Sequence, residues 1–146
     1  QDRHFEPNCF FSTPSERNRV LGIMLYRSQA KGFLHWGYNF YNSYLSLRTL
    51  DPFYETDGGG RFQAGDAFLV YPGKEEALAS LRLKVFADGL QDYRLLKTLE
   101  RRKGRLFVTD LLDRFGYLDF FTYPHDGLSL LRLHDEVCRL LCSTEE

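Results

Sequence analysis

The sequence predicts an α/β fold, on three observations. A short apolar run at Cys9–Phe11, a helix-spaced segment over residues 15–30 and an aromatic, almost uncharged run at Phe33–Phe40 follow in the strand–helix–strand order of a βαβ unit. The 146 residues are 43% hydrophobic and 16% aromatic, enough for one domain with a real core and too apolar for disorder. Strand-like runs fill the first half and helical runs the second. Two or three strands are too few for a free-standing parallel sheet covered on both faces. The missing strands are therefore expected from N-terminal sequence or from another chain.

Taken in order, Cys9–Phe11 reads as the tail of a strand. Thr13 then reads as a helix N-cap, with Pro14 at the first helical position. Val20, Ile23, Met24 and Tyr26 carry the helical spacing, and Lys31-Gly32 closes the helix. Phe33–Phe40 predicts a strand buried on both faces. Strict alternation puts Leu34, Trp36, Tyr38 and Phe40 on one face and Phe33, His35, Gly37 and Asn39 on the other. Which face looks inward stays open.

Residues 42–64 read as a long loop, broken by Asp51-Pro52 and by Asp57-Gly58-Gly59-Gly60. Loops of that length within a domain are usually functional or mobile. A strand at Ala67–Tyr71 is stopped by Pro72-Gly73, and a long helix is predicted over 75–102. Gly89 in its middle predicts close packing against a neighbour, since glycine there costs about 1 kcal/mol relative to alanine. Helical stretches at 110–115 and 128–141 follow Gly104, separated by Tyr123–Gly127. Leu130, His134, Val137 and Leu141 form the buried stripe of the last one, with His134 packed and hydrogen-bonded.

The charge balance excludes some partners. The net charge is −1, from 19 basic and 20 acidic residues, so no basic footprint for nucleic acid exists. No apolar run approaches the roughly 20 residues that span a bilayer. Gln1–Pro7 is too polar for a signal peptide. The chain starts at Gln1 and its single methionine is Met24, from which a processed product or a piece of a longer protein is expected. Cys9, Cys138 and Cys142 are read as buried free thiols, not metal ligands, and no metal or cofactor is predicted. The compartment is left open.

Several ordered pieces carry a family likeness. They are Gly32-Phe33-Leu34-His35-Trp36-Gly37-Tyr38-Asn39, Asp51-Pro52-Phe53, Gly65-Asp66-Ala67-Phe68-Leu69-Val70-Tyr71-Pro72-Gly73, Ser80-Leu81-Arg82, Asp88-Gly89-Leu90 and Asp92-Tyr93, with Asn18-Arg19 upstream. Together they resemble the domain-of-unknown-function family 4091, which is similar to the C-terminal part of glycoside hydrolase family 123. The resemblance implies the C-terminal portion of a (β/α)8 TIM-type barrel, its last two βα units, followed by extra C-terminal helices. Residues 1–104 would be the barrel segment and 105–146 a helical extension. Cys9–Phe11 would end strand seven and Phe33–Phe40 would be strand eight. It further implies substrate-assisted cleavage of N-acetylhexosamine-containing glycans by an adjacent Asp-Glu pair, which the family carries before strand seven.

No catalytic residue is therefore expected in this chain. Asp135-Glu136, the one adjacent pair, falls in the last helix and reads as a solvated face. Active sites of such barrels lie where the strands end, so the expected substrate-binding residues are Trp36, Tyr38, Asn39, Tyr41, Asn42 and Asp66. A flat indole suits the apolar face of a pyranose, and asparagine both donates to and accepts from hydroxyls. Two of them have competing structural readings, Trp36 as barrel core and Asp66 as an Asx-type turn residue, and the neighbouring His35 reads as a core histidine. Asp88 and Asp92 share a helix face on or near a buried stripe and predict a lock to Arg17 or Arg19. The missing N-terminal part of the protein and a glycan are the expected partners. The rival expectation is a non-catalytic carbohydrate-binding or structural module.

Overall fold

The computed structural model describes residues 6–143, so the reading over Gln1–Phe5 lies outside the described residues. The fold mixes helices with a small sheet: α1 (Ser15–Arg19), α2 (Leu21–Arg27), β1 (Val70–Pro72), β2 (Ala77–Ala79), α3 (Leu81–Lys103), α4 (Arg105–Arg114) and α5 (Gly127–Cys142). β1 and β2 form an antiparallel hairpin, with Val70 opposite Ala79 and Pro72 opposite Ala77.

The first expected strand does not form. Cys9 is buried but Cys9–Phe11 is irregular backbone, tied to the rest by Phe11 N–H donating to the Ala64 carbonyl at 2.9 Å. Thr13 is not the cap. Its N–H turns back to the Phe10 carbonyl at 3.0 Å, and Pro14, extended at ψ 147°, takes the cap position with no side-chain hydrogen bond. α1 and α2 run on through Val20, which keeps helical dihedrals.

The helix stops earlier than Gly32. Gln29 holds φ 57°, Ala30 N–H reaches back to the Leu25 carbonyl and Gln29 N–H to that of Tyr26, both at 3.1 Å. That is a Schellman ending with glutamine in the left-handed position, so no glycine is needed. α4 ends the same way on Gly116, at φ 82°.

Phe33–Phe40 is irregular, bending at Trp36 and Tyr38, and is neither a strand nor buried on both faces. Leu34 is 84% exposed, Phe33 47% and Trp36 47%. Its last residues pair with the approach to β1: Phe40 N–H donates to the Ala67 carbonyl at 3.0 Å and Leu69 N–H to that of Tyr38 at 2.8 Å. Among the described residues no strand lies on its other edge, and the upstream half has no ladder at all. Lacking a partner on that side, the run stays irregular and wet.

The other boundary errors have local causes. Pro72 lies inside β1 instead of stopping it, at the end of a hairpin where a missing N–H is tolerated. Residues 75–79 turn and form β2, so the long helix starts at Leu81. Ser80 caps it, accepting from Leu83 N–H at 3.1 Å. Asp126 does the same for α5, accepting from Ser129 N–H at 2.7 Å, and these bonds hold its carboxyl below the usual range.

The main core lies in the helical half. Ile23, Met24 and Tyr26 of α2 meet Leu96 and Leu99 of α3, Val108, Leu111 and Leu112 of α4, and Leu130, Leu133 and Val137 of α5. The predicted close approach at Gly89 is present. A Cβ on Gly89 would strike the Arg19 carbonyl, and one on Gly22 the Gly89 carbonyl. The two helices cross on bare backbone, and Gly22 is a partner the sequence reading passed over.

Asp92 is buried and accepts from Arg19 Nε at 2.7 Å and Nη2 at 3.0 Å, the expected lock. His134 Nδ1 joins Asp92 at 2.7 Å and Cys138 Sγ sits 3.6 Å from its other nitrogen, so α1, α3 and α5 meet at one carboxylate. Asp88 is exposed, contrary to expectation, and Arg17 goes instead to the Glu6 carbonyl. Of the three thiols only Cys9 is buried, its pKa pushed up to about 11 by that burial, while Cys138 is half-buried and Cys142 exposed.

Candidate functional site

A cation fixes the approach to the site. Arg82, on the first turn of α3, donates to the carbonyls of Cys9 and Phe68 at 2.8 Å and to that of Gly65. Its guanidinium lies 4.6 Å from the Phe11 ring centroid and 5.6 Å from that of Phe68. One half-buried fork therefore binds the N-terminal segment, the end of the long loop and the approach to β1 to one helix. The backbone on both sides of Asp66 is held by it.

Gly37 then brings the aromatic segment against that backbone, since a Cβ there would collide with Asp66 and Ala67. The contact aligns the neighbouring side chains. Trp36 Nε1 donates to Asp66 Oδ2 at 3.0 Å. The carboxylate of Asp66 is thus committed to an indole, not to an Asx turn. Phe62 meets Trp36 edge-on at 4.9 Å, Phe40 lies 5.7 Å from Trp36, and Tyr44 meets Phe62 at 6.1 Å. Trp36 and Tyr44 each leave 47% of their surface in solvent. A half-exposed aromatic row anchored on a carboxylate is the result.

The loop that supplies Phe62 and Tyr44 is more ordered than its breakers suggest. Gly58, Gly59 and Gly60 all adopt positive φ, and Asp57 Oδ1 accepts from Gly60 N–H at 2.8 Å. Arg61 and Phe62 N–H groups both return to the Asp57 carbonyl, at 3.0 and 2.8 Å, which turns Phe62 back over Gly58. Tyr44 N–H donates to the Gly58 carbonyl at 3.0 Å. Sequence reasoning missed Tyr44, Arg61 and Phe62. The available signal was aromatics flanking a glycine run, a pattern whose spatial outcome depends on the turn.

The six expected substrate-binding residues separate into different places. Trp36 and Asp66 are joined. Tyr38 leaves the Trp36 side, because the irregular backbone breaks the expected alternation, and lines a cleft with Phe33 and His35. Tyr41 donates its hydroxyl to the Val70 carbonyl at 2.8 Å and stands 6.0 Å from Phe68, a packing role in which burial pushes the phenol up. Asn39 is exposed beside its bridge to Phe68, and Asn42 is half-buried in a bridge to Thr49.

The cleft is apolar, about 360 Å³, and lies between the end of α2, the aromatic segment at 33–38 and α3, with Leu69, Phe86 and Tyr93 among its walls. His35 Nε2 is shielded there without a protein hydrogen-bond partner.

The substrate-assisted cleavage that the resemblance implies uses an adjacent Asp-Glu pair, and the one such pair in the sequence is Asp135-Glu136. Asp135 is exposed, and Glu136 is bound by Arg139 at 2.7 and 2.8 Å on the outer face of α5, which depresses its pKa. That pair is a solvated surface feature, far in sequence from the aromatic row. The row itself can stack on a flat apolar surface and accept a hydrogen bond at the free Asp66 oxygen.

Comparison with known proteins adds one match. The family model described as Glycoside hydrolase 123, catalytic domain, matches residues 2–99, more than half of the 146-residue chain. No curated protein matches it.

Proposed function

This chain belongs to the glycoside hydrolase 123 family, and on that premise we propose that it is the closing segment of a glycosidase that acts on N-acetylhexosamine-containing glycans. In this reading the chain supplies the rim of the sugar pocket and the rest of the same protein supplies the acid pair. The observation that carries it is the half-exposed Trp36, fixed by Asp66 and backed by Phe62, in a chain of this family. An indole held from one edge presents its face without having to be ordered by the ligand, which lowers the entropic cost of binding.

The exposed edge supports the barrel reading. Phe33 and Leu34 lie in solvent beside an apolar cleft, on a segment paired along one edge only. A further strand with its helix, as in a (β/α)8 barrel whose last two βα units lie within residues 1–104, would cover all three. Residues 105–146 then form the extension that closes the helical face, since α4 and α5 share the core of α2 and α3. The order of the motifs at residues 65–73 and 80–93 supports the finer likeness to the domain-of-unknown-function family 4091.

A second reading, a carbohydrate-binding module that does not cleave, is favoured by the engagement of Asp66 with Trp36. Both readings put the sugar on Trp36. Binding of N-acetylgalactosamine to the full-length protein, measured by calorimetry, is expected to weaken about tenfold in Trp36→Ala, as loss of one stacking contact implies. Unchanged affinity would remove the pocket from this chain.

A further inference from the structure

The aromatic row has two chemically different ends. At one, Asp66 holds the indole of Trp36. At the other, the Arg61 guanidinium lies 5.9 Å from the Tyr44 ring centroid, exposed to solvent. Among the described residues Arg61 has no carboxylate partner. The acids around it in sequence are engaged: Asp57 Oδ1 with Gly60 N–H, and Glu55 with both arms of Arg48, at 2.8 and 2.5 Å.

Arg61 is also placed rather than trailing. Its backbone is bound into the three-glycine turn and its side chain rests over an aromatic face. A guanidinium so held keeps its planar fork of donors for a ligand, and carboxylates and sulfates are the groups that match that fork.

Resting on the glycan reading above, we propose that Arg61 selects acidic oligosaccharides, with an N-acetylhexosamine over Trp36 and the carboxylate of a neighbouring uronic acid unit at Arg61. Polarity sets the direction. A carboxylate at the Trp36 end would face Asp66, whereas at the Tyr44 end it meets a free cation. Spacing sets the unit. Trp36 and Tyr44 each meet Phe62, at 4.9 and 6.1 Å, and Arg61 lies over Tyr44, so the cation is reached from the indole through two aromatic rings and is matched to the unit next to the sugar on Trp36. A single cation suits one carboxylate and provides no footprint for a long polyanion.

The test compares a chondroitin tetrasaccharide, which alternates N-acetylgalactosamine with glucuronate, and its carboxyl-reduced neutral counterpart, by calorimetry on the full-length protein at low ionic strength. The acidic form is expected to bind about tenfold tighter, the size of one charge-assisted contact. Arg61→Gln should collapse that gap to under twofold and leave the neutral form's affinity unchanged. Added salt should narrow the gap in the wild type, because Arg61 is exposed. Equal affinities in the wild type, or a gap that survives Arg61→Gln, overturn the role of Arg61. If the neutral form still needs Trp36 in that case, the glycan reading itself stands. Binding of neither form overturns both.

Discussion

Asp92 shows how one side chain can hold the helical half together. Its two oxygens take Arg19 from α1 and His134 from α5, while its own backbone belongs to α3. The ion pair is sequestered, with Asp92 and Arg19 side chains 7% and 17% exposed. Removing one member of such a pair leaves the other charge without compensation. Asp92→Ala should therefore lose about 3 kcal/mol of stability in chemical denaturation. A loss under 1 kcal/mol would mean that water takes over the carboxylate's role. The lock was legible before the structure because two acids on one helix face need partners. Its third member was legible only as a packed, hydrogen-bonded histidine, and nothing local marks Asp92, 42 residues away, as its partner.

At the scale of elements, the crossing of α2 and α3 is set by two glycines. Gly22 and Gly89 let backbone touch backbone, so a methyl at position 22 has nowhere to go except against the Gly89 carbonyl. Gly22→Ala should force the helices apart and cost about 1–3 kcal/mol, the usual range for overpacking, read from the denaturation midpoint. An unchanged midpoint would contradict the close crossing. Gly89 could be read from its position in the middle of a helical pattern. Gly22 could not, because it sits in a segment already full of apolar residues.

The helices were readable from spacing and breakers, and α3 differs from expectation only at its start, where Ser80 caps a helix that follows a hairpin. Phe33–Phe40 was misread for a physical reason. Its composition is that of a buried strand, and burial needs neighbours that the described residues do not include. Trp36 and Asp66 were both singled out from the sequence and do meet, whereas the neighbourhood of Tyr44, Arg61 and Phe62 depends on how three glycines turn.

For the whole molecule, the chain combines a closed helical core with an open, aromatic, half-paired edge. The core encloses its apolar side chains, whereas the edge leaves Phe33, Leu34 and Trp36 in solvent. The family match covers the edge, the loop and α3 up to residue 99, and the one adjacent Asp-Glu, Asp135-Glu136, lies beyond it. The proposed reading therefore places sugar recognition on the matched part and gives Asp135-Glu136 no catalytic role.

The most direct measurement is kcat/KM of the full-length protein on an aryl N-acetyl-β-galactosaminide, compared across Trp36→Ala, Asp135→Asn and Glu136→Gln. The account predicts a loss of about tenfold in the first, from one stacking contact, and wild-type values in the other two. Full activity in Trp36→Ala with collapse at Asp135 or Glu136 would contradict it.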